Sequence, residues 1–241
     1  MAYKLFVVGI GPGDLELLTI KAKRAIEESY AICGYSTYIQ QIEGLIKDKT
    51  VFSNGMGGEI ERVKKAIAFA ETGNTTSIIS GGDSSLYGMA SVVIQLAPDW
   101  IDIEIIPGIT AALAVSARIG APISDDLAII SMSDLLTPWE VIQKRIEAVN
   151  VGDFVCAIYN PKSRKRDWQL KYALDSFFKQ RGDLWCASVK NCCKEKELIK
   201  IDRISNFDYN FVDMATTVIV GNTKTQFKNG NLITPRGYKV V

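Results

Sequence analysis

The chain has 241 residues, 47% hydrophobic and 23% charged, so it can build one large or two small folded domains and is too apolar for a disordered chain. Its 28 Lys and Arg against 27 Asp and Glu leave no basic surplus, which argues against a nucleic-acid partner. There is no histidine, which excludes Ser-His-Asp and Cys-His triads, two-histidine zinc motifs and a histidine-ligated haem.

Leu5–Ile10 is a continuous apolar run ending in Gly11-Pro12-Gly13, as a buried strand and its turn would be. It is too short for a signal peptide or a membrane helix. A helix is predicted over 17–30 on Leu18, Ala22, Ala25 and Ile26, and a short strand over 31–34. A second helix, over 59–71, carries Ile60, Val63, Ile67 and Ala70. A strand over 75–80 runs into Gly81-Gly82-Asp83-Ser84-Ser85, followed by a helix over 87–97. A strand over 101–106 and Pro107-Gly108 lead into an Ala-rich helix over 110–119. This alternation predicts a largely parallel sheet covered by helices.

Gly120–Asp126, with its proline and two acids, reads as the linker between residues 1–121 and 122–241. Beyond it come a strand over 127–132, a helix over 138–149 starting on Pro138, a strand over 154–159 and a helix over 168–180. Strands over 184–190, 198–201 and 216–220 complete a second sheet. The expected fold class is therefore α/β, in two α/β domains.

Cys33, Cys156 and Cys186 lie in apolar stretches and read as core thiols. The odd cysteine count and absence of C-x-x-C suit a reducing cytoplasm. The adjacent Cys192 and Cys193 offer two soft ligands, fewer than a metal site needs.

Three glycine loops carry the functional signal. Gly9-Ile10-Gly11-Pro12-Gly13-Asp14 lies between a strand and a helix, as a dinucleotide-binding loop would. Yet Asp14 occupies the position of that fingerprint's last glycine, and Pro12 removes a backbone N–H. A tight turn with Asp14 near a helix N-terminus explains the loop as well. In Gly81–Ser85, Asp83 either accepts a hydrogen bond from a ligand or caps the next helix. Ile106–Ala111 lets a helix start close to a sheet or to a flat ligand. All three loops fall at the carboxyl ends of strands, where open α/β sheets bind ligands.

Together these loops resemble the tetrapyrrole (corrin/porphyrin) methyltransferase family. The resemblance runs through Gly9–Asp14, Gly81–Asp83 with Leu86–Ala90, Pro107–Ala111, Ile158–Pro161 and Thr216–Gly221. Three further segments, Ser131–Trp139, Tyr159–Ser163 and Thr234–Tyr238, are similar to the branch that methylates ring carbon 17 of precorrin-3B or cobalt-factor III and contracts the macrocycle, in cobalamin biosynthesis. The resemblance implies two α/β domains in a homodimer, with S-adenosyl-L-methionine in the trough between them and S-adenosyl-L-homocysteine as product. It places Pro12, Gly81, Gly82, Asp83, Leu86, Thr110, Ala111, Tyr159, Asn160, Thr216 and Thr217 at the cofactor. Ser84 departs from the proline usual after Gly-Asp, and Lys190–Glu197 departs from a stretch that normally has Arg and Gly before its last acid.

Methyl transfer from a sulfonium needs alignment and exclusion of water rather than a protein nucleophile. Ring contraction needs proton movement, and without histidine a carboxylate, a tyrosine or water must supply it. Asp134 is the candidate, in a polar loop between a strand and a helix; organising that loop is its other reading. Ser131, Ser133 and Thr137 of the same loop are candidate substrate contacts. Lys162 and Arg164, with Lys165 and Arg166, offer cations to the carboxylate arms of a tetrapyrrole. Sister methyltransferases acting at another ring carbon, a nicotinamide-dependent oxidoreductase and a non-catalytic tetrapyrrole carrier are the competing readings. No membrane partner is expected.

Overall fold

A computed structural model describes residues 3–163 and 166–238. The chain divides into two compact units, Met1–Ala111 and Ala112–Val241.

The first unit carries strands β1 (Tyr3–Gly9), β2 (Ala31–Tyr35), β3 (Thr50–Asn54), β4 (Thr76–Ser80) and β5 (Ile101–Ile106). They form one sheet in the order β3-β2-β4-β1-β5, every pair parallel. Helices α1 (Ile20–Glu28), α2 (Ser36–Gln41), α3 (Glu59–Glu71) and α4 (Ala90–Leu96) complete it. Side chains alternate across a strand, so β1 serves two cores. Leu5 and Val7 pack with Val63, Ala66 and Ala70 of α3 and Val93 of α4, while Phe6 and Val8 pack with Ala22, Ala25 and Ile26 of α1.

Two helices start later than their periodicity suggests. Leu15–Leu17 is a separate 3-10 turn, and α1 begins only after Thr19, whose hydroxyl accepts from Ala22 N at 3.1 Å. Tyr87 has a φ of 53°, which a helix cannot contain, and Met89 N donates to Ser80 Oγ at 3.0 Å before α4 starts.

The second unit contains nearly all of α5 (Ala111–Ile119), then β6 (Gly120–Ala121), β7 (Leu127–Ser131), α6 (Trp139–Val151), β8 (Val155–Tyr159), α7 (Gln169–Arg181), β9 (Trp185–Lys190), β10 (Leu198–Arg203) and β11 (Thr216–Val220). The helix predicted to start on Pro138 starts one residue later, with Pro138 as its capping residue. The main sheet runs β10-β9-β11-β8-β7. Only β7 and β8 pair in parallel; the other pairs are antiparallel. Its core joins Ile142, Ile146 and Val149 of α6 to Leu170, Leu174 and Phe177 of α7 over Ile130, Ile158 and Val218. A hairpin of β12 (Gln226–Lys228) and β13 (Asn231–Ile233) lies against β6, with Leu232 opposite Gly120. Cys33, Cys156 and Cys186 are buried, and burial pushes each thiol up to about 12.

Candidate active site

Strands β4, β1 and β5 lie side by side, and one glycine loop leaves the carboxyl end of each. The main chain fastens these loops together. Gly11 N donates to Gly82 O at 3.0 Å, and Gly82 N donates back to Gly11 O at 2.7 Å. The closest approach is at Gly108, where a Cβ would fall 2.2 Å from Gly82 O and 2.7 Å from the carbonyl carbon of Gly9. Any side chain there would collide with main chain, which explains the glycine. Thr110 and Ala111 adjoin Gly82, whose added Cβ would lie 3.7 Å from Thr110 Cα and 3.8 Å from Ala111 N. Pro12 is buried and Leu86 half-buried. Asp14 accepts from Glu16 N at 2.9 Å, so it caps a short 3-10 turn, as the bland reading of that loop has it.

Asp83 locks the cradle. Its Oδ1 accepts from Ser85 N, Ser85 Oγ and Leu86 N at 2.8, 2.5 and 3.2 Å, and its Oδ2 accepts from Gly108 N at 3.0 Å. Burial alone would raise its pKa, but the hydrogen bonds from Ser85, Gly108 and Leu86 outweigh that and hold it below the usual carboxylate range. Most of its acceptor capacity is thus used inside the protein. Ser84 is buried, and its hydroxyl donates to Ile106 O at 3.0 Å, so serine adds a tie to the third loop that proline could not make.

Because the folded pKa of Asp83 is depressed, its stabilisation is present at neutral pH and is lost as pH falls through that folded value. Asp83→Asn is expected to cost about 1–2 kcal/mol at pH 7, discounted for a partly solvated carboxylate. The gap to the unaltered protein should begin to narrow near the ordinary Asp pKa, about pH 4, and shrink as pH falls toward the depressed folded value. Urea unfolding at pH 7 and pH 3 measures it; an equal gap at both would remove the charge from the explanation.

In the second unit, Tyr159 ends β8. Its hydroxyl accepts from Ala112 N at 2.7 Å, and its carbonyl accepts from Met132 N at 2.9 Å. Asn160 has a φ of 49°, and its amide donates to Ser131 Oγ at 3.0 Å. Ser133 N donates to the same hydroxyl at 3.2 Å. Tyr159, Asn160, Ser131 and Ser133 are therefore brought together. On the adjoining β11, the buried Thr216 donates its hydroxyl to Asp213 Oδ1 at 3.0 Å, while Thr217 is half-buried and paired with Val189 of β9.

Asp134 follows Ser133 in the same loop, its side chain 40% exposed. Gln169 Nε2 donates to Asp134 Oδ2 at 3.0 Å, and Arg166 Nε lies 3.7 Å from Oδ1. Arg166 is buried and donates from Nη1 to Asn160 O at 2.6 Å. Burial pulls the Arg166 guanidinium below its ordinary pKa, and the Asp134 charge opposes that. Gln169 is also buried, and its Oε1 has no hydrogen-bond partner among the described residues. Sequence reasoning passed over Gln169. Its signal was a polar residue among the core positions Leu170, Ala173, Leu174 and Phe177 of α7.

Thr137 is half-buried in the same loop. Lys162 is half-buried and uses one of its three N–H donors on Tyr209 O at 3.2 Å. Arg164 and Lys165 lie outside the described residues. Leu135 and Leu136 are 83% and 92% exposed, an unusual position for two neighbouring leucines. Behind that loop, Trp139 meets Trp168 and Tyr172 edge to face, with ring centroids 4.7 and 5.2 Å away.

Comparison with known proteins is consistent along the whole chain. Residues 4–208 match the family model of tetrapyrrole (corrin/porphyrin) methylases. The chain is 47% identical over 98% of its length to the cobalamin biosynthesis protein CbiHC of Archaeoglobus fulgidus, and spans about half (53%) of that longer protein. It is 40% identical to a probable cobalt-factor III C(17)-methyltransferase of Salmonella typhimurium, covering 97% of this chain and 99% of that one. The crystal structure of the methyltransferase CobJ superposes with a TM-score of 0.90 at 30% identity, over 96% of this chain and 99% of the other.

Proposed function

This chain belongs to the tetrapyrrole (corrin/porphyrin) methylases, and from that premise we propose that it methylates carbon 17 of cobalt-factor III or precorrin-3B with S-adenosylmethionine and contracts the ring, giving cobalt-precorrin-4 or precorrin-4. The observation that carries this reading is the end-to-end likeness to a C(17)-methyltransferase of the same length.

The residues fit the cofactor. The cradle of Pro12, Gly81, Gly82, Leu86, Thr110 and Ala111 is neutral, and Asp83 is turned inward onto its own loops. A cationic sulfonium meets no opposing cation there, and the glycines let a ligand approach the main chain closely. When bound, S-adenosylmethionine supplies an electrophilic methyl group. Tyr159, Asn160, Thr216 and Thr217 belong to the proposal as second-unit residues to vary in the same assays. The protein should bind S-adenosylhomocysteine and not NADH; the opposite pattern would return an oxidoreductase.

For the tetrapyrrole, the exposed Leu135 and Leu136 offer an apolar surface suited to the face of a macrocycle, beside Ser131, Ser133 and Thr137. Lys162 and Arg164 are the cations we assign to its carboxylate arms; Arg166 is buried and turned onto Asn160 and Asp134. Asp134 is the proposed acid–base group for ring contraction. Its carboxylate is partly open to solvent, as a group that must exchange protons with a substrate needs to be, and two side chains hold it in place.

Gln169 acts on the reaction through Asp134. An amide donates to a carboxylate through its nitrogen and, turned over, accepts from a carboxylic acid through its oxygen. In the observed orientation Gln169 donates through Nε2 and so helps hold the Asp134 carboxylate in place. Gln169→Leu removes a hydrogen bond that holds the Asp134 carboxylate and should lower kcat while affinity for S-adenosylhomocysteine stays unchanged. An unchanged kcat with a folded protein would reduce Gln169 to packing.

We also propose that the protein acts in the cytoplasm as a homodimer. The five free cysteines suit the first point, and sedimentation equilibrium tests the second. Among the described residues, no helix is long and apolar enough to cross a membrane.

A further inference from the structure

The turn between β9 and β10 holds a cluster that the methyl-transfer reading does not use. Cys192 and Cys193 carry their sulfurs 3.6 Å apart, and a carboxylate oxygen of Glu197 lies within 4.8 Å of both. Two thiolates bound to one tetrahedral zinc at about 2.3 Å each stand roughly 3.8 Å apart. The observed spacing is therefore that of a chelating pair. The two neighbours of the sequence gain the third donor they lacked only when the turn brings Glu197 back to them.

That turn is built against local preference. Asn191, Cys193 and Lys196 all have positive φ, at 52°, 57° and 60°. It is held by Cys193 N, which donates to Glu197 Oε2 at 2.7 Å, and by Lys194 N, which donates to Asn191 O at 2.9 Å. Arg118 of α5 fixes the other carboxylate oxygen, with Nε and Nη2 at 2.8 and 2.7 Å from Oε1. Cys192 is buried and Cys193 half-buried, so an ion would enter past Cys193. The charges are compatible as well: two thiolates and one carboxylate face a dication, the Arg118 guanidinium and the neighbouring Lys194 ammonium.

We propose that Cys192, Cys193 and Glu197 bind one thiophilic divalent cation of the zinc class, with solvent completing the coordination. Soft thiolates select such ions over magnesium or calcium. Binding breaks two S–H bonds, forms two metal–sulfur bonds and releases two protons to solvent, so affinity rises with pH.

The test is a cadmium titration of the full chain, kept reduced with a phosphine. Near-ultraviolet thiolate-to-cadmium absorption should saturate at one ion per chain, with two protons released, and zinc should displace the cadmium. Cys193→Ser should abolish saturation at one equivalent while leaving methyl transfer intact. Glu197→Gln should weaken binding by at least about tenfold. The proposal fails if no saturable absorption appears, or if the Cys192→Ser, Cys193→Ser double variant gives the same signal through the three core thiols. An unchanged affinity in Glu197→Gln would also overturn the three-donor site.

Discussion

Gly108→Ala should cost at least about 3 kcal/mol of stability and abolish measurable binding of S-adenosylhomocysteine. The added Cβ has no side chain to push aside: its nearest neighbours are Gly82 O at 2.2 Å and the Gly9 carbonyl carbon at 2.7 Å. Relief would require the β1 and β4 loops to separate. That movement would also stretch the Gly11–Gly82 pair and pull Gly108 N from Asp83. Gly44→Ala is the matched control, because a Cβ there meets nothing within 4 Å, and its effect should stay within about 0.5 kcal/mol. Denaturant unfolding and calorimetric titration read both quantities. A Gly108→Ala protein as stable and as tightly binding as the control would show that the packing of the three loops is incidental.

Asp134→Asn should lower kcat by about 10²- to 10⁴-fold, the range for loss of a positioned acid or base. Asparagine keeps the size and can still face Gln169 and Arg166, so the fold and the affinity for S-adenosylhomocysteine should be unchanged. The loss should fall on kcat and kcat/KM together if the group acts only in the transition state. Methylated but uncontracted tetrapyrrole would then accumulate, because proton movement belongs to the contraction step. Full turnover in a folded Asp134→Asn protein would leave Asp134 the role of organising its loop.

The elements most legible in the sequence were those with an unbroken pattern. Ile101–Ile106, Glu59–Glu71 and Thr216–Val220 match their predicted bounds, since each is a long apolar or periodic run with clear stops. The edge strand β3 escaped because its Thr50–Asn54 holds only Val51 and Phe52 as apolar residues, and the two-residue β6 because two residues carry no period. The β12–β13 hairpin did leave a mark in Asn229-Gly230, whose positive φ values of 51° and 79° suit a tight hairpin turn. Antiparallel pairing in the second sheet could not be read from strand order alone. At the site, the glycine loops were legible because main-chain contact demands glycine. The hold of Arg166 and Gln169 on Asp134 was not, because it joins residues more than thirty positions apart through the packing of α7.

The central claim is methylation with ring contraction, and one measurement reaches it most directly. Purified protein is incubated with methyl-labelled S-adenosylmethionine and either cobalt-factor III or precorrin-3B, and the tetrapyrrole is examined by mass and absorption spectra. One labelled methyl on carbon 17 with a changed chromophore, on one of the two substrates, is the predicted result. A labelled methyl at another carbon with the chromophore unchanged, or no transfer to either substrate by protein that binds S-adenosylhomocysteine, would contradict it.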